Sequence, residues 1–132
     1  MSRGRNQGGL EDFVPIAEYC LIEEGKYSAM CKDAKFENIH AKPRAVIGFE
    51  IFPPSKHAGT RLRYYAVVGG PASKYSRAWV TAAGRPPKLG EKMLLDVFKG
   101  KVFTVTVETA NKGKKDREYS VVRELLAVEA GR

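Results

Sequence analysis

The feature that most constrains the fold of this chain is a two-residue alternation of apolar and polar side chains in several short segments. It is clearest in residues 60–68, where four apolar side chains share one parity: Leu62, Tyr64, Ala66 and Val68. Successive side chains of a β-strand point to opposite faces. The alternation therefore predicts a strand with one buried face and one face exposed to solvent or to a ligand.

Related patterns predict four further strands. They lie in residues 23–39, in residues 45–52, and in the two arms of a hairpin within residues 98–122. A loop containing Pro43 separates the first two strands. Gly48, in the middle of the second strand, indicates a bulge or a tight bend.

A single helix of about three turns is predicted between the third and fourth strands. Ser73 is a suitable residue for its start and Gly84 for its C-terminal cap, and two prolines then prevent continuation. Trp79 follows Tyr75 by four positions among alanines, which predicts a core position for it rather than a base-stacking one.

The order of these elements predicts a mainly β protein, specifically a five-stranded OB-fold barrel with one short helix between strands 3 and 4. Other small β-barrels, or a sandwich with an appended helix, have a compatible order. The 132 residues suit one domain. We expect a flexible N-terminal arm over residues 1–12 and a single OB-fold domain over residues 13–132.

Targeting and redox signals are weak. The N-terminus shows no signal peptide, and no apolar run approaches the ~20 residues that span a bilayer. The two cysteines, Cys20 and Cys31, are too few for a disulfide scaffold. A cytoplasmic, reduced protein without membrane association is expected.

The chain is strongly basic, with a formal net charge of +8 and a pI near 9.6. Its first 25 residues contain more acidic than basic side chains, so the rest is more basic still. Such a charge attracts polyanions over about 10 Å at moderate salt. Nucleic acid is the favoured partner, an anionic membrane is a less frequent one, and solubility alone also produces basic domains.

Single strands are bound by cations that contact phosphates and by aromatic rings that stack on bases. Three basic segments, far apart in sequence, would converge around the groove of an OB barrel: the surroundings of the first loop, one face of strand three, and the final hairpin. Taken alone, a lysine-rich hairpin tip is equally compatible with a solvated turn or a protected strand edge. The predicted nucleic-acid-binding residues, with Tyr65 as the stacking candidate, are Lys32, Lys35, Lys42, Arg44, Arg61, Arg63, Tyr65, Lys101, Lys112, Lys114, Lys115 and Arg117.

Patterns that would indicate catalysis are missing from the sequence. His40 and His57 are far apart, with no cysteine or carboxylate at metal-ligand spacing. The glycine- and lysine-containing segment 84–92 lacks the spacing and the Ser/Thr of a phosphate-binding loop. We therefore predict no enzyme activity, no metal and no cofactor.

Four segments resemble the single-stranded DNA-binding proteins that phages and integrated mobile elements encode. They are residues 25–36, 59–68, 79–87 and 97–122. The shared pattern is an opening G-x-Y strand, a basic ribbon, a helix that ends in glycine, a G-K-x-F/V-x-V strand, a Lys/Gly loop and a closing strand. Its positions here are Gly25 and Tyr27; Arg61 and Arg63; Gly84; Gly100, Lys101, Phe103 and Val105; Lys112 to Lys115; Tyr119 and Val122.

This resemblance implies an OB fold and non-catalytic binding of single-stranded DNA, with little sequence preference, in replication, recombination or element transfer. The housekeeping single-stranded DNA-binding proteins of bacteria carry a long flexible tail with an acidic tip. This sequence ends in VEAGR instead, so recruitment of partners by a tail is not expected. Two alternatives stay open: an OB-like protein-interaction module, such as an accessory subunit or an inhibitor, and an RNA-binding OB domain. A homodimer or higher oligomer is compatible with each of them.

Overall fold

A computed structural model describes residues 20–114 and 116–129, which form a mainly β structure. A helix, α1 (Lys74–Ala83), and a short 3-10 helix (Leu95–Val97) lie between the third and fourth strands. The predicted class and element order are thereby confirmed, whereas the predicted arm over residues 1–12 lies outside the described residues. The strands are β1 (Gly25–Ile39), β2 (Lys42–Ile51), β3 (Arg61–Val67), β4 (Val102–Ala110) and β5 (Tyr119–Val128).

All five strands belong to one antiparallel sheet with the order β3-β2-β1-β4-β5. The central strand, β1, is 15 residues long and pairs with a neighbouring strand on each side. Its first residues pair with β4 and its later residues pair with β2. The two edge strands, β3 and β5, also contact each other, so the sheet is strongly curved around the core.

The core fills the concave side of this sheet and is rich in phenylalanine. Phe49 from β2 and Phe103 from β4 are fully buried, and their rings meet edge to face with centroids 5.7 Å apart. Phe98, just before β4, is also fully buried. The face of β3 that was predicted to be buried contributes Leu62, Tyr64 and Ala66.

Helix α1 has the predicted caps and the predicted buried tryptophan. The side chain of Ser73 accepts a hydrogen bond from the backbone N–H of Ser76, and Gly84 adopts the left-handed conformation at the other end. Trp79 is 3% exposed, and its ring N–H donates to the carbonyl of Leu94 at 3.3 Å. Neither helix in the described part of the chain has the length and apolar character needed to cross a membrane.

The connection between β1 and β2 is shorter than the sequence suggested. A loop over residues 39–44 was expected, but both strands continue until only residues 40–41 remain in the turn. Both turn residues have positive φ, 52° and 62°, which is the geometry of a tight hairpin turn. Such turns are normally signalled by Asn-Gly or Asp-Gly, and His-Ala carries no such signal. As a consequence, Lys42 and Arg44 lie on a strand and not in a loop.

A β-bulge interrupts β1 opposite Gly48. Cys31 pairs with Phe49 and Asp33 pairs with Gly48, which leaves Lys32 as the extra residue. The irregularity expected at Gly48 is thus in the facing strand. A Cβ atom on Gly48 would lie 2.6 Å from Oδ1 of Asp33, so the absence of a side chain there lets the bulged strand pack closely.

We expect Gly48→Ala to lower the free energy of unfolding by about 1 kcal/mol or less relative to Gly70→Ala, because the added methyl group must displace only the exposed side chain of Asp33. Urea denaturation measures the change. Gly70→Ala is the matched control, since its Cβ would meet nothing within 4 Å. The double variant Asp33→Ala/Gly48→Ala should recover most of the loss. Equal effects of Gly48→Ala and Gly70→Ala would contradict this account of the bulge.

Candidate nucleic-acid interface

A groove of about 940 Å³ crosses the convex face of β1, β2 and β3 and reaches the start of β5. Its lining residues come from distant parts of the sequence. They include Lys32 and Lys35 of β1, residues 59–63 and the segment 119–121. This groove is the candidate functional site.

The pairing of the strands determines which side chains share this face. Residues directly opposite each other in neighbouring strands point to the same side of the sheet. Lys35 pairs with Val46, and Val46 pairs with Tyr65, so these three residues form one row across the face. Tyr65 is half-buried and lines the groove.

The next row contains Asp33, Gly48 and Arg63. Because Gly48 has no side chain, the carboxylate of Asp33 fills the space beside it, with Oδ1 2.6 Å from the position that a Cβ atom would take. A negative charge therefore lies in this row of the groove, between the two strands that supply its cations.

The groove carries both signs of charge. Its charged lining residues, within the described part of the chain, are four cations and two carboxylates: Lys32, Lys35, Arg61, Arg63, Asp33 and Glu37. Glu37 forms an ion pair with Lys35. A third carboxylate, that of Glu50, accepts a hydrogen bond from Nε of Arg61 at 3.3 Å. The protein thus compensates part of the positive charge itself, which the basic composition did not indicate.

Five of the predicted site residues are brought together in this groove: Lys32, Lys35, Arg61, Arg63 and Tyr65. Lys42 and Arg44 lie further along β2, towards the hairpin turn. Arg44 pairs with Glu37 on one side and Val67 on the other, so it belongs to the row after the one that contains Tyr65.

Lys101 is not part of the groove. Its ammonium group donates a hydrogen bond to the backbone carbonyl of Ala82 at 2.8 Å. That carbonyl belongs to the last turn of α1, where the helix leaves its carbonyl groups without internal partners. The side chain therefore links the segment just before β4 to the end of the helix.

The hairpin loop between β4 and β5 presents Lys112, Lys114 and Arg117 to solvent, while Lys115 lies outside the described residues. None of the three lines the groove directly. They precede, by a few positions in the sequence, Tyr119, the first residue of β5, and Tyr119 does line the groove. Tyr119 was recognised only as part of the closing strand, since nothing in the sequence shows that this strand end reaches β3.

Glu24, just before β1, holds the loop in place. Its carboxylate accepts hydrogen bonds from the backbone N–H of Thr109 at 2.8 Å and from the ammonium of Lys112 at 3.1 Å. The Thr109 bond, followed by the Lys112 bond, lowers the pKa of Glu24, and the same pairing raises the pKa of Lys112. The pair is therefore charged on both sides at neutral pH. One of the predicted phosphate ligands is occupied by an acidic residue that the sequence did not single out.

The arrangement suits binding by charge and stacking. Within residues 20–114 and 116–129, no three His, Cys, Asp or Glu side chains are grouped so that they could hold a metal ion. The ring of His57 is engaged instead with Glu23, whose Oε1 lies 2.7 Å from its Nε2.

Comparison with known proteins adds nothing to this geometry: no protein-family model matches the chain, and no curated protein sequence matches it.

We expect Glu24→Gln to accelerate cleavage of the loop by trypsin severalfold, because the loop loses its ionic tie to the segment before β1. Mass spectrometry of a cleavage time course would locate the cut after Lys112 or Lys114. Glu91→Gln is the control, since it breaks a comparable exposed pair, with Arg85 at 2.7 Å, in a different turn. Equal cleavage rates in the two variants would show that Glu24 does not restrain the loop.

Proposed function

We propose that this protein is an OB-fold protein that binds single-stranded DNA without catalysis and with little sequence preference. The role that fits the sequence resemblance is protection of single strands during replication, recombination or transfer of a phage or mobile element. The observation that carries the proposal is the groove on β1–β3. There, cations from two strands border the half-buried ring of Tyr65.

The strand connections support the OB-fold part of the proposal. β1 pairs with both β2 and β4, α1 follows β3, and the edge strands β3 and β5 contact each other. In an OB fold, nucleic acid binds on the face formed by strands 2 and 3, between the loops that join strands 1–2 and 4–5. The groove described above is on the corresponding face.

Binding in this groove would combine two kinds of contact. Phosphates would lie near Lys32, Lys35 and the two arginines of β3, and their counterions would be released. A base would stack on Tyr65, which is sequence-tolerant because every base has an aromatic face. The exposed cations of the hairpin loop would extend the contact along the strand.

A protein-interaction module is a second candidate, and the carboxylates of the groove favour it. Asp33 and Glu37 line the same surface as the four cations. A polyphosphate is repelled by such residues, whereas a protein with mixed charges could pair with both signs. The accessory-subunit and inhibitor roles therefore remain the alternatives that a binding experiment must exclude.

The decisive measurement is a fluorescence-anisotropy titration of a labelled dT oligomer of about 16 nucleotides, the upper end of the site sizes found for OB folds. Matched duplex DNA and RNA oligomers are titrated in parallel, across a salt series. We expect tight binding to the single strand, weak binding to the duplex and a steep loss of affinity with salt. Equal or tighter binding of RNA would make the protein an RNA-binding one. If no nucleic acid binds at low salt, the protein-interaction candidate takes its place.

Two sets of variants separate stacking from charge. Tyr65→Ala should weaken binding by about 1–3 kcal/mol, whereas Tyr65→Phe keeps the ring and should bind like the wild type.

Replacing Lys112, Lys114 and Lys115 together by alanine should reduce the slope of log affinity against log salt concentration by about 0.7 for each phosphate that the loop no longer neutralises. The matched control removes three exposed lysines after α1: Lys88, Lys92 and Lys99. If loop and control variants have the same salt dependence, the loop is not a phosphate ligand.

A further inference from the structure

A second, smaller depression lies where β3, β5 and the start of α1 meet. Its volume is about 40 Å³, and it lies on the same β3–β5 seam as the groove. The groove borders this seam at residues 61–63 and 119–121, and the depression borders it further along both strands. Its lining residues are Tyr64, Lys74, Arg77, Ala78, Glu124 and Leu125.

Lys74 is the centre of a group of cations at this depression. Its side chain is half-buried, and Nζ lies 4.7 Å from the centroid of the Tyr64 ring. Burial lowers the pKa of Lys74, and the charges of Arg123, Arg77 and Arg44 lower it further. Three further cations, from α1, β2 and β5, therefore act unfavourably on the charged form of Lys74.

Few acidic groups offset this charge. Glu124 lines the depression and attracts Lys74, and Oε1 of Glu108 lies 3.8 Å from Nε of Arg123. In the described ranges, no carboxylate forms an ion pair with Lys74, Arg77 or Arg44. Nε of Arg44 is buried and has no hydrogen-bond partner there either.

The position of two of these cations conflicts with the usual preference of a helix. The N-terminal end of a helix carries a partial positive charge, and acidic residues in the first turn are stabilising there. The first turn of α1 contains none and begins with Lys74, and Arg77 follows one turn later. Neither side chain gains stability from that position, but a bound anion would be attracted by both cations and by the helix end.

We infer that Lys74 and Arg77, the two cations that line the depression, form a phosphate site for single-stranded DNA that leaves the groove and continues along the β3–β5 seam. The groove and the depression border the same seam, the groove at residues 61–63 and the depression at Tyr64. The inference rests on the proposed function, and it extends the bound strand beyond the groove to the start of the helix. The class of ligand is a backbone phosphodiester, held by charge and not by base recognition.

Two lengths of oligomer test this inference. A dT oligomer of about 6 nucleotides is short enough to occupy the groove alone, whereas one of about 16 nucleotides can reach the helix. Both are titrated against the wild type, against Lys74→Gln/Arg77→Gln, and against the control Lys88→Gln/Lys92→Gln, which removes the same charge after α1. The salt dependence of the dissociation constant is measured for each pair.

We expect the Lys74→Gln/Arg77→Gln variant to lose about 0.7 to 1.4 in salt slope on the long oligomer, for one or two phosphates, and nothing on the short one. The control should resemble the wild type on both. The inference is overturned if the variant and the control behave alike on the long oligomer, or if the short oligomer is weakened equally. If the wild type binds neither oligomer, the proposed function itself fails, which is a distinguishable result.

Glu124→Gln provides a test that removes no cation. It takes away the carboxylate that lines the depression, so binding of the long oligomer should tighten severalfold while the short oligomer is unaffected. An unchanged or weaker affinity for the long oligomer would count against the site. Thermal denaturation of each variant shows whether its fold is retained, and the repulsion around Lys74 leads us to expect no loss of stability when that charge is removed.

Discussion

The burial of Leu62, Tyr64 and Ala66 is the constraint on which both the core and the candidate site depend. These residues alternate with Arg61, Arg63 and Tyr65, so once one parity faces the core the other must face out. A shift of one residue in pairing would bring two arginines into an apolar interior, where unpaired charges are very costly. The register that stabilises the fold thus also defines the basic face, and no separate interaction is needed to position it.

The ion pairs of this surface compensate part of its positive charge. Lys35, Arg61 and Lys112 are each paired with a carboxylate of the chain itself. Exposed pairs of this kind contribute little to stability and are screened by salt. A polyanion with closely spaced charges can therefore compete for the same cations. The acidic residues lessen repulsion within the free protein and do not prevent an exchange of partners.

The elements were predictable from the sequence because each has a local cause: period two in β3, a capped helix that ends at Gly84, and a glycine opposite the bulge. The short turn at residues 40–41 was not, because its positive φ values occur at His40 and Ala41, which carry no turn signal. Five of the predicted site residues share one groove because the strand pairing aligns them on one face. The roles of Glu24, Lys101 and Glu50 depend on contacts between separate segments of the chain, which no local pattern indicates.

The start of α1 shows how a conflict with local preference can point to a ligand. Elsewhere the helix follows ordinary preferences: Ser73 and Gly84 cap it, and Trp79 is buried. Lys74 combines partial burial, neighbouring cations and a helix end of the same sign. Departures from local consistency are expected where function imposes them, since folding by itself gains nothing from them. Because this departure lies on the seam that the groove also borders, a bound single strand of the kind we propose would account for both features with one ligand.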